Sequence, residues 1–110
     1  MRIQILPSAI ADLNAGWDFY ESQEAGLGGY FQDCLSADID SLVIYAGIHR
    51  KVYGFYRLLA KRFPFAVYYR MESGNVAVVY RVLDCRRDPM RIRRSLRQAS
   101  GEQAGSGKRE

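Results

Sequence analysis

The chain has 110 residues, a hydrophobic content of 48% and a net charge of +4, with a mean hydropathy of −0.24. These values are typical of one soluble domain that is large enough to bury a core, and the longest apolar runs are too short to span a membrane. The two cysteines and single histidine show no zinc-ligand spacing, so we expect no metal, no cofactor and no disulfide. The N-terminus lacks the pattern of a signal peptide, which predicts a cytoplasmic protein.

Charge is distributed unevenly along the chain. Residues 1–47 carry one arginine against seven acids, a net −6, whereas residues 48–110 carry fifteen basic residues against five acids, a net +10. A molecule polarised in this way presents a basic face that suits a polyanion or an acidic protein segment. An ordinary solvated basic surface is the alternative interpretation.

The N-terminal half predicts a short strand followed by two helices. Residues 2–6 alternate and stop at Pro7, where a helix over residues 8–24 begins. A glycine cluster after Ala25 separates this helix from a second one over residues 28–46. The apolar stripe of the first helix is Ile10, Leu13, Trp17 and Tyr20. Two helices joined by so short a link form an antiparallel hairpin.

The C-terminal half predicts three antiparallel strands, near residues 55–60, 64–72 and 76–84. A turn signal at Ser73-Gly74-Asn75 joins the last two as a β-hairpin. If Ser73 and Gly74 form a two-residue loop, Tyr68 lies opposite Val79 and Ala66 lies opposite Arg81. One face is then almost purely apolar, while Tyr68, Arg70 and Arg81 share the other.

Together these elements predict an α+β fold in which the N-terminal strand and the helical hairpin pack on an antiparallel sheet. The domain is expected to cover residues 1–98. It ends in a short helix that docks through Ile92 and Leu96 and exposes arginines elsewhere. Residues 99–110 are expected to be a disordered tail. The residues expected to be buried are Trp17, Phe31, Leu35, Leu42, Val67 and Val78.

No nucleophile elbow, carboxylate pair, dinucleotide fingerprint or metal cluster occurs in the sequence. The chemistry that remains is a basic sheet edge interleaved with tyrosines, which is typical of phosphate and base contacts and also suits an acidic peptide. The candidate residues for binding a partner or a target are Arg57, Lys61, Tyr68, Arg70, Arg86 and Arg87. His49 is a lone loop histidine, for which a surface role is favoured over general-base catalysis.

The sequence resembles the ParE/RelE superfamily of bacterial type II toxins over about residues 3–97. The resemblance is carried by residues 7–13, by Trp17-Asp18-Phe19-Tyr20 and by the Gly26–Gly28 turn with Phe31. It is also carried by Arg62-Phe-Pro-Phe-Ala-Val-Tyr-Tyr69 and by the segment Val78 to Val82-Leu83 that ends in Arg87-Asp88-Pro89. Membership implies a toxin that a cognate antitoxin, encoded by the neighbouring gene, neutralises in a hetero-oligomer.

The superfamily resemblance implies two possible activities. RelE-like members cleave mRNA on the ribosome with an arginine early in the third strand, an arginine after the fourth strand and a nearby Tyr or His. ParE-like members lack that set and poison DNA gyrase. Here Ala66 stands at the third-strand arginine position, and Arg93 stands near the position of the RelE-like tyrosine. Arg87 matches the arginine after the last strand. Arg81 is the candidate substitute for the third-strand arginine that Ala66 replaces.

The leading hypothesis is therefore a ParE-like gyrase poison. The alternative is a ribosome-dependent endoribonuclease with Arg81 and Arg87 as catalytic residues, helped by Lys61 or His49. The third hypothesis is a degenerate member of the superfamily that is not toxic and only binds its antitoxin.

Overall fold

The structure, a computed structural model, describes the backbone of residues 1–108 and the side chains of residues 1–101. In chain order the elements are β1 (Arg2–Ile5), α1 (Pro7–Gln23), α2 (Leu27–Asp40), α3 (Leu42–Tyr45), β2 (Lys51–Val52), β3 (Phe55–Leu59), β4 (Phe65–Glu72), β5 (Val76–Asp84) and α4 (Pro89–Lys108). The strands form one sheet in the order β1-β5-β4-β3-β2. No helix in the described part of the chain has the length and apolar character needed to cross a bilayer.

The α+β fold class is confirmed. The α1–α2 hairpin covers one face of the sheet and α4 covers the other, so the molecule has an apolar cluster on each side. The predicted antiparallel pairing holds for β3 to β5. The short strand β2, which was not predicted, extends it at the edge of β3, and β1 joins the edge of β5 as a parallel strand. The second predicted helix is divided, since α2 ends at Asp40 and the short α3 begins at Leu42.

The core prediction is confirmed except at Trp17. Five of the six residues are buried: Phe31, Leu35, Leu42, Val67 and Val78. Trp17 is 37% exposed, so its predicted burial is wrong. The reason is Gly16: a Cβ atom there would lie 2.5 Å from the Phe31 ring. Since α1 and α2 approach each other at Gly16, the next residue is rotated by about 100° away from the contact.

The predicted register of the β4–β5 hairpin is also wrong. Glu72 pairs with Val76, so the loop has three residues, and Asn75 takes a positive φ of 60° in it. Tyr69 pairs with Val79, whereas Tyr68 pairs with Arg81, which leaves Tyr80 as an extra residue. This bulge reverses the alternation of β5. Arg81 therefore lies opposite Tyr68 and not opposite Ala66.

The helix α4 continues past residue 98, where the sequence predicts the end of the domain. Ile92 and Leu96 dock on the sheet as expected, and Ala99, in the next turn of the helix, is buried with them. Ser100 accepts a hydrogen bond from Nη1 of Arg70, with an N···O distance of 2.9 Å. The first residues of the predicted tail thus belong to the domain. Side chains 102–110 lie outside the described residues, and disorder of that segment stays a prediction.

Candidate functional site

Arg81 forms an ion pair with Asp12 across the open edge of β5. Its Nε lies 2.7 Å from Oδ2 and its Nη2 lies 2.8 Å from Oδ1 of Asp12. The two side chains are only 17% and 12% exposed. Oδ2 also accepts the backbone N–H of Val82 at 2.9 Å. Because β1 ends at Ile5, α1 supplies the acceptor that a further strand would otherwise provide.

This ion pair gives Arg81 a structural role in the fold. A bidentate, largely buried arginine is held by its carboxylate and is poorly placed to reach a phosphate. Ala66, at the position where a RelE-like arginine is expected, is fully buried in the cluster beneath α4. The two predicted catalytic residues therefore differ in their surroundings, since Arg81 is held by Asp12 whereas Arg87 is exposed.

The arginines that follow β5 differ in their environments. Arg86 chelates the Asp84 carboxylate through Nε at 3.0 Å and Nη2 at 2.7 Å. These hydrogen bonds hold the pKa of Asp84 below its ordinary value and raise the pKa of Arg86. Arg87 is exposed. Its side chain lines a cleft of about 190 Å³ between α1 and the end of β5.

The cleft beside Arg87 combines an apolar surface with charges at its edge. Its lining residues are Asp12, Ala15, Gly16, Phe19, Phe65, Val82, Asp84 and Arg87. The side chain of Phe19 is 51% exposed, although it is a large aromatic residue on a helix. An apolar segment that also carries an acid matches this arrangement, because the acid can meet Arg87 while apolar groups cover Phe19.

Arg57 and Tyr68 meet in a second cavity of about 170 Å³ on the α4 side of the sheet. Burial raises the pKa of Tyr68, so its hydroxyl stays protonated, while the nearby Arg57 guanidinium acts in the opposite direction. Nε of Arg57 is buried and has no hydrogen-bond partner among the described residues. Burial also raises the pKa of Cys85 in the same wall. The cavity therefore holds hydrogen-bond donors and an arginine.

Arg70 and Lys61 lie apart from that cavity. The Arg70 guanidinium stacks on Phe55, with its carbon 3.9 Å from the ring centroid. It also donates hydrogen bonds to the Gly54 carbonyl at 3.2 Å and to the Ser100 hydroxyl. It joins the β2–β3 turn to α4. Lys61 is exposed near Asp38, whose Oδ2 accepts the Lys61 backbone N–H at 3.2 Å. The six candidate binding residues therefore do not form one continuous site.

His49 is part of a loop anchor. The Tyr69 hydroxyl accepts the Gly47 backbone N–H at 2.9 Å and makes a short hydrogen bond with Nδ1 of His49. Burial lowers the pKa of His49, which favours the neutral ring as the acceptor of the Tyr69 proton. The hydrogen bond to Tyr69 gives His49 a structural role in this loop that does not require catalysis.

The predicted site set omits two features of the cleft. Asp12 lies off the apolar stripe of α1, and its ion pair depends on a partner 69 residues away. Phe19 enters the predictions only within the motif Trp17-Asp18-Phe19-Tyr20. A signal for it is present in the sequence, because Phe19 lies off the apolar stripe that contains Trp17 and Tyr20. An apolar residue off the buried stripe of a helix is a candidate for contact with a partner.

Comparison with known families decides the identity of this fold. The model of the family described as the ParE toxin of the type II toxin–antitoxin system, parDE, matches residues 3–89. The chain belongs to this family. It is therefore the toxin component of a toxin–antitoxin pair, with an antitoxin as its partner in a complex. The matched range contains every candidate site residue, whereas α4 begins where the match ends.

A solved structure supports the fold of this ParE-family toxin. The chain is similar to a protein described as the chromosomal ParDE TA system from P. aeruginosa, with a TM-score of 0.64 and 23% sequence identity. The alignment covers 74% of this chain and 92% of that chain. A search of the curated proteins found no match.

Proposed function

We propose that this ParE-family toxin acts in the cytoplasm by binding DNA gyrase, and that it inhibits growth without cleaving RNA. The observation that carries the proposal is the environment of Arg87. The charged side chains that line its cleft are the carboxylates of Asp12 and Asp84, and the rest of the lining is small or apolar. A ribonuclease needs a group that moves a proton beside the cation that stabilises the phosphate. Both carboxylates here are instead held in ion pairs, Asp12 by Arg81 and Asp84 by Arg86.

The ion pairs made by the other candidate arginines support the same proposal. Arg81 is held by Asp12, and Arg86 is held by Asp84. An exposed Arg87 beside the apolar surface of Phe19 is instead suited to a protein partner, where arginine and aromatic residues provide much of the binding energy.

The test measures both activities of the superfamily with the purified full chain. With gyrase and plasmid DNA, we expect lost supercoiling and accumulated cleaved DNA. With programmed ribosomes, we expect intact mRNA. The Arg87→Ala variant should weaken gyrase inhibition by roughly 2 kcal/mol, about 30-fold, while Arg62→Ala, another exposed arginine, serves as the matched control.

Other outcomes are equally specific. Ribosome-dependent mRNA cleavage by the wild type contradicts the proposal and supports the endoribonuclease. Absence of both activities, with antitoxin binding retained, indicates a degenerate member.

We further propose that the antitoxin covers the cleft beside Arg87 with an apolar and acidic segment. Phe19→Ser should weaken antitoxin binding by about 2 kcal/mol, because it removes an aromatic anchor. Tyr45→Ser is the control, since Tyr45 on α3 is likewise 51% exposed but does not line the cleft. Titration calorimetry with the product of the neighbouring gene measures both affinities. Equal losses in the two variants count against this site.

A further inference from the structure

The exposed face of α4 carries a dense group of arginines outside the cleft. Four of the seven residues from position 91 to position 97 are arginines, and no acidic residue occurs between Asp88 and Glu102. All four arginines are exposed. We call these residues, Arg91, Arg93, Arg94 and Arg97, the arginine face.

Docking of α4 fixes the orientation of this face. Ile92, Leu96 and Ala99 are buried against the sheet. At about 100° per residue, Arg94 and Arg97 project from the opposite side of the helix. Arg91 and Arg93 flank them, one on each side. At 1.5 Å per residue the face is about 9 Å long along the axis, so one rigid helix presents four cations over a short distance.

These cations have no carboxylate partners in the part of the chain whose side chains are described. The ion pairs found there join Arg81 to Asp12 and Arg86 to Asp84. Exposed helical arginines are commonly supported by acids three or four residues away. The acid at that spacing here is Asp88, three residues before Arg91, and its Oδ1 accepts the Met90 backbone N–H at 3.0 Å. Arg93 instead lies over the Tyr53 ring, 5.9 Å from its centroid.

We propose that the arginine face of α4 binds the phosphodiester backbone of nucleic acid. Arginine suits this ligand because its planar guanidinium makes paired hydrogen bonds with phosphate oxygens. An acidic protein segment is the other polyanion to consider. Protein interfaces depend on buried apolar or aromatic anchors. The large apolar side chains exposed beside these arginines are Met90 and Tyr53, and the Tyr53 ring lies under Arg93. The composition of the face therefore favours phosphodiester.

Binding through the backbone is independent of base sequence. The identity of the ligand rests on the proposed function: in a complex of this toxin with gyrase, the arginine face binds the DNA that gyrase holds. The face then adds DNA contacts to the protein contacts made near Arg87.

The test is fluorescence anisotropy with the full chain, a short labelled DNA duplex, a single-stranded RNA and a polyglutamate peptide. We expect binding to the duplex that weakens steeply between about 50 and 200 mM salt. The Arg94→Ala/Arg97→Ala variant should bind about tenfold or more weakly, with a salt slope smaller by roughly 2, since each lost phosphate contact removes about 0.9. RNA binding with the same variant effect supports the shared phosphodiester chemistry.

The control removes the same charge elsewhere. Arg2→Ala/Arg62→Ala changes two exposed arginines outside α4 and should retain affinity within about threefold. Alanine favours helix, and circular dichroism verifies that α4 persists in the first variant. Equal weakening in the two double variants overturns the proposal, as does a wild type that fails to bind the duplex at low salt. Tighter binding of polyglutamate than of either nucleic acid overturns it in favour of an acidic protein.

The experiment uses no gyrase, so its failure is distinct from failure of the proposed function. A wild type that binds DNA through α4 but leaves supercoiling unaffected supports this inference and contradicts gyrase inhibition. A wild type that inhibits gyrase without binding DNA contradicts this inference alone.

Discussion

Replacing Arg81 by methionine separates a structural role for this residue from a functional one. Methionine retains most of the aliphatic volume but removes the two hydrogen bonds to Asp12, at 2.7 and 2.8 Å. The Asp12 carboxylate, only 12% exposed, then keeps the Val82 N–H as a donor but loses its counterion. We expect the Arg81→Met variant to be strongly destabilised.

The magnitude follows from burial. Removing one partner of a buried ion pair costs about 3–5 kcal/mol, and the partial exposure of this pair places the expected loss near 3 kcal/mol. Arg86→Met is the matched control, because it breaks a pair of the same geometry whose arginine is 63% exposed. A surface pair contributes about 0–1 kcal/mol. In a domain of this size, 3 kcal/mol lowers Tm by roughly 12 °C.

A second variant tests the cause. Asp12→Asn combined with Arg81→Met removes the uncompensated charge and retains an acceptor for the Val82 N–H, so we expect recovery of about 2 kcal/mol. Urea unfolding measures the free energies, and inducible expression measures growth arrest. The reasoning fails if Arg81→Met is as stable as the wild type. It also fails if the stable double variant no longer arrests growth, since Arg81 would then act on the target.

Two further predictions concern the helical hairpin and the loop anchor. Gly16→Ala should destabilise the fold by about 1–3 kcal/mol, because the added Cβ lies 2.5 Å from the Phe31 ring, whereas Gly29→Ala meets no atom within 4 Å and should be neutral or stabilising in thermal unfolding. The pKa of His49 is lowered by burial from 6.5, so below that pH the unfolded state binds more protons than the folded state and stability falls with falling pH. His49→Gln should flatten the dependence of Tm on pH between about 5 and 7; an unchanged profile excludes this histidine as its source.

The sequence by itself determined the local elements and the family. Pro7, the glycine cluster near Gly28 and the alternation of Val, Tyr and Phe each act within a few residues, so α1, β3, β4 and β5 begin and end close to their predicted limits. The break between α2 and α3 and the short strand β2 were not predicted. Burial of Phe31 and Leu35 followed from the same periodicity. The motif Arg87-Asp88-Pro89 and the segment around Pro64 indicated the ParE/RelE resemblance, which the family match confirms.

Only the tertiary structure decided what each arginine does. The three-residue loop and the bulge at Tyr80 each shift the β4–β5 register by one residue, and together they move Arg81 from Ala66 to Tyr68. The partner of Arg81 is Asp12, 69 residues away, and that distance closes only when α1 packs against the open edge of β5. The close approach at Gly16 likewise turns Trp17 outwards. An arginine carries the same charge in every environment, but whether that charge is held by a carboxylate or offered to a partner depends on contacts that form across the whole chain.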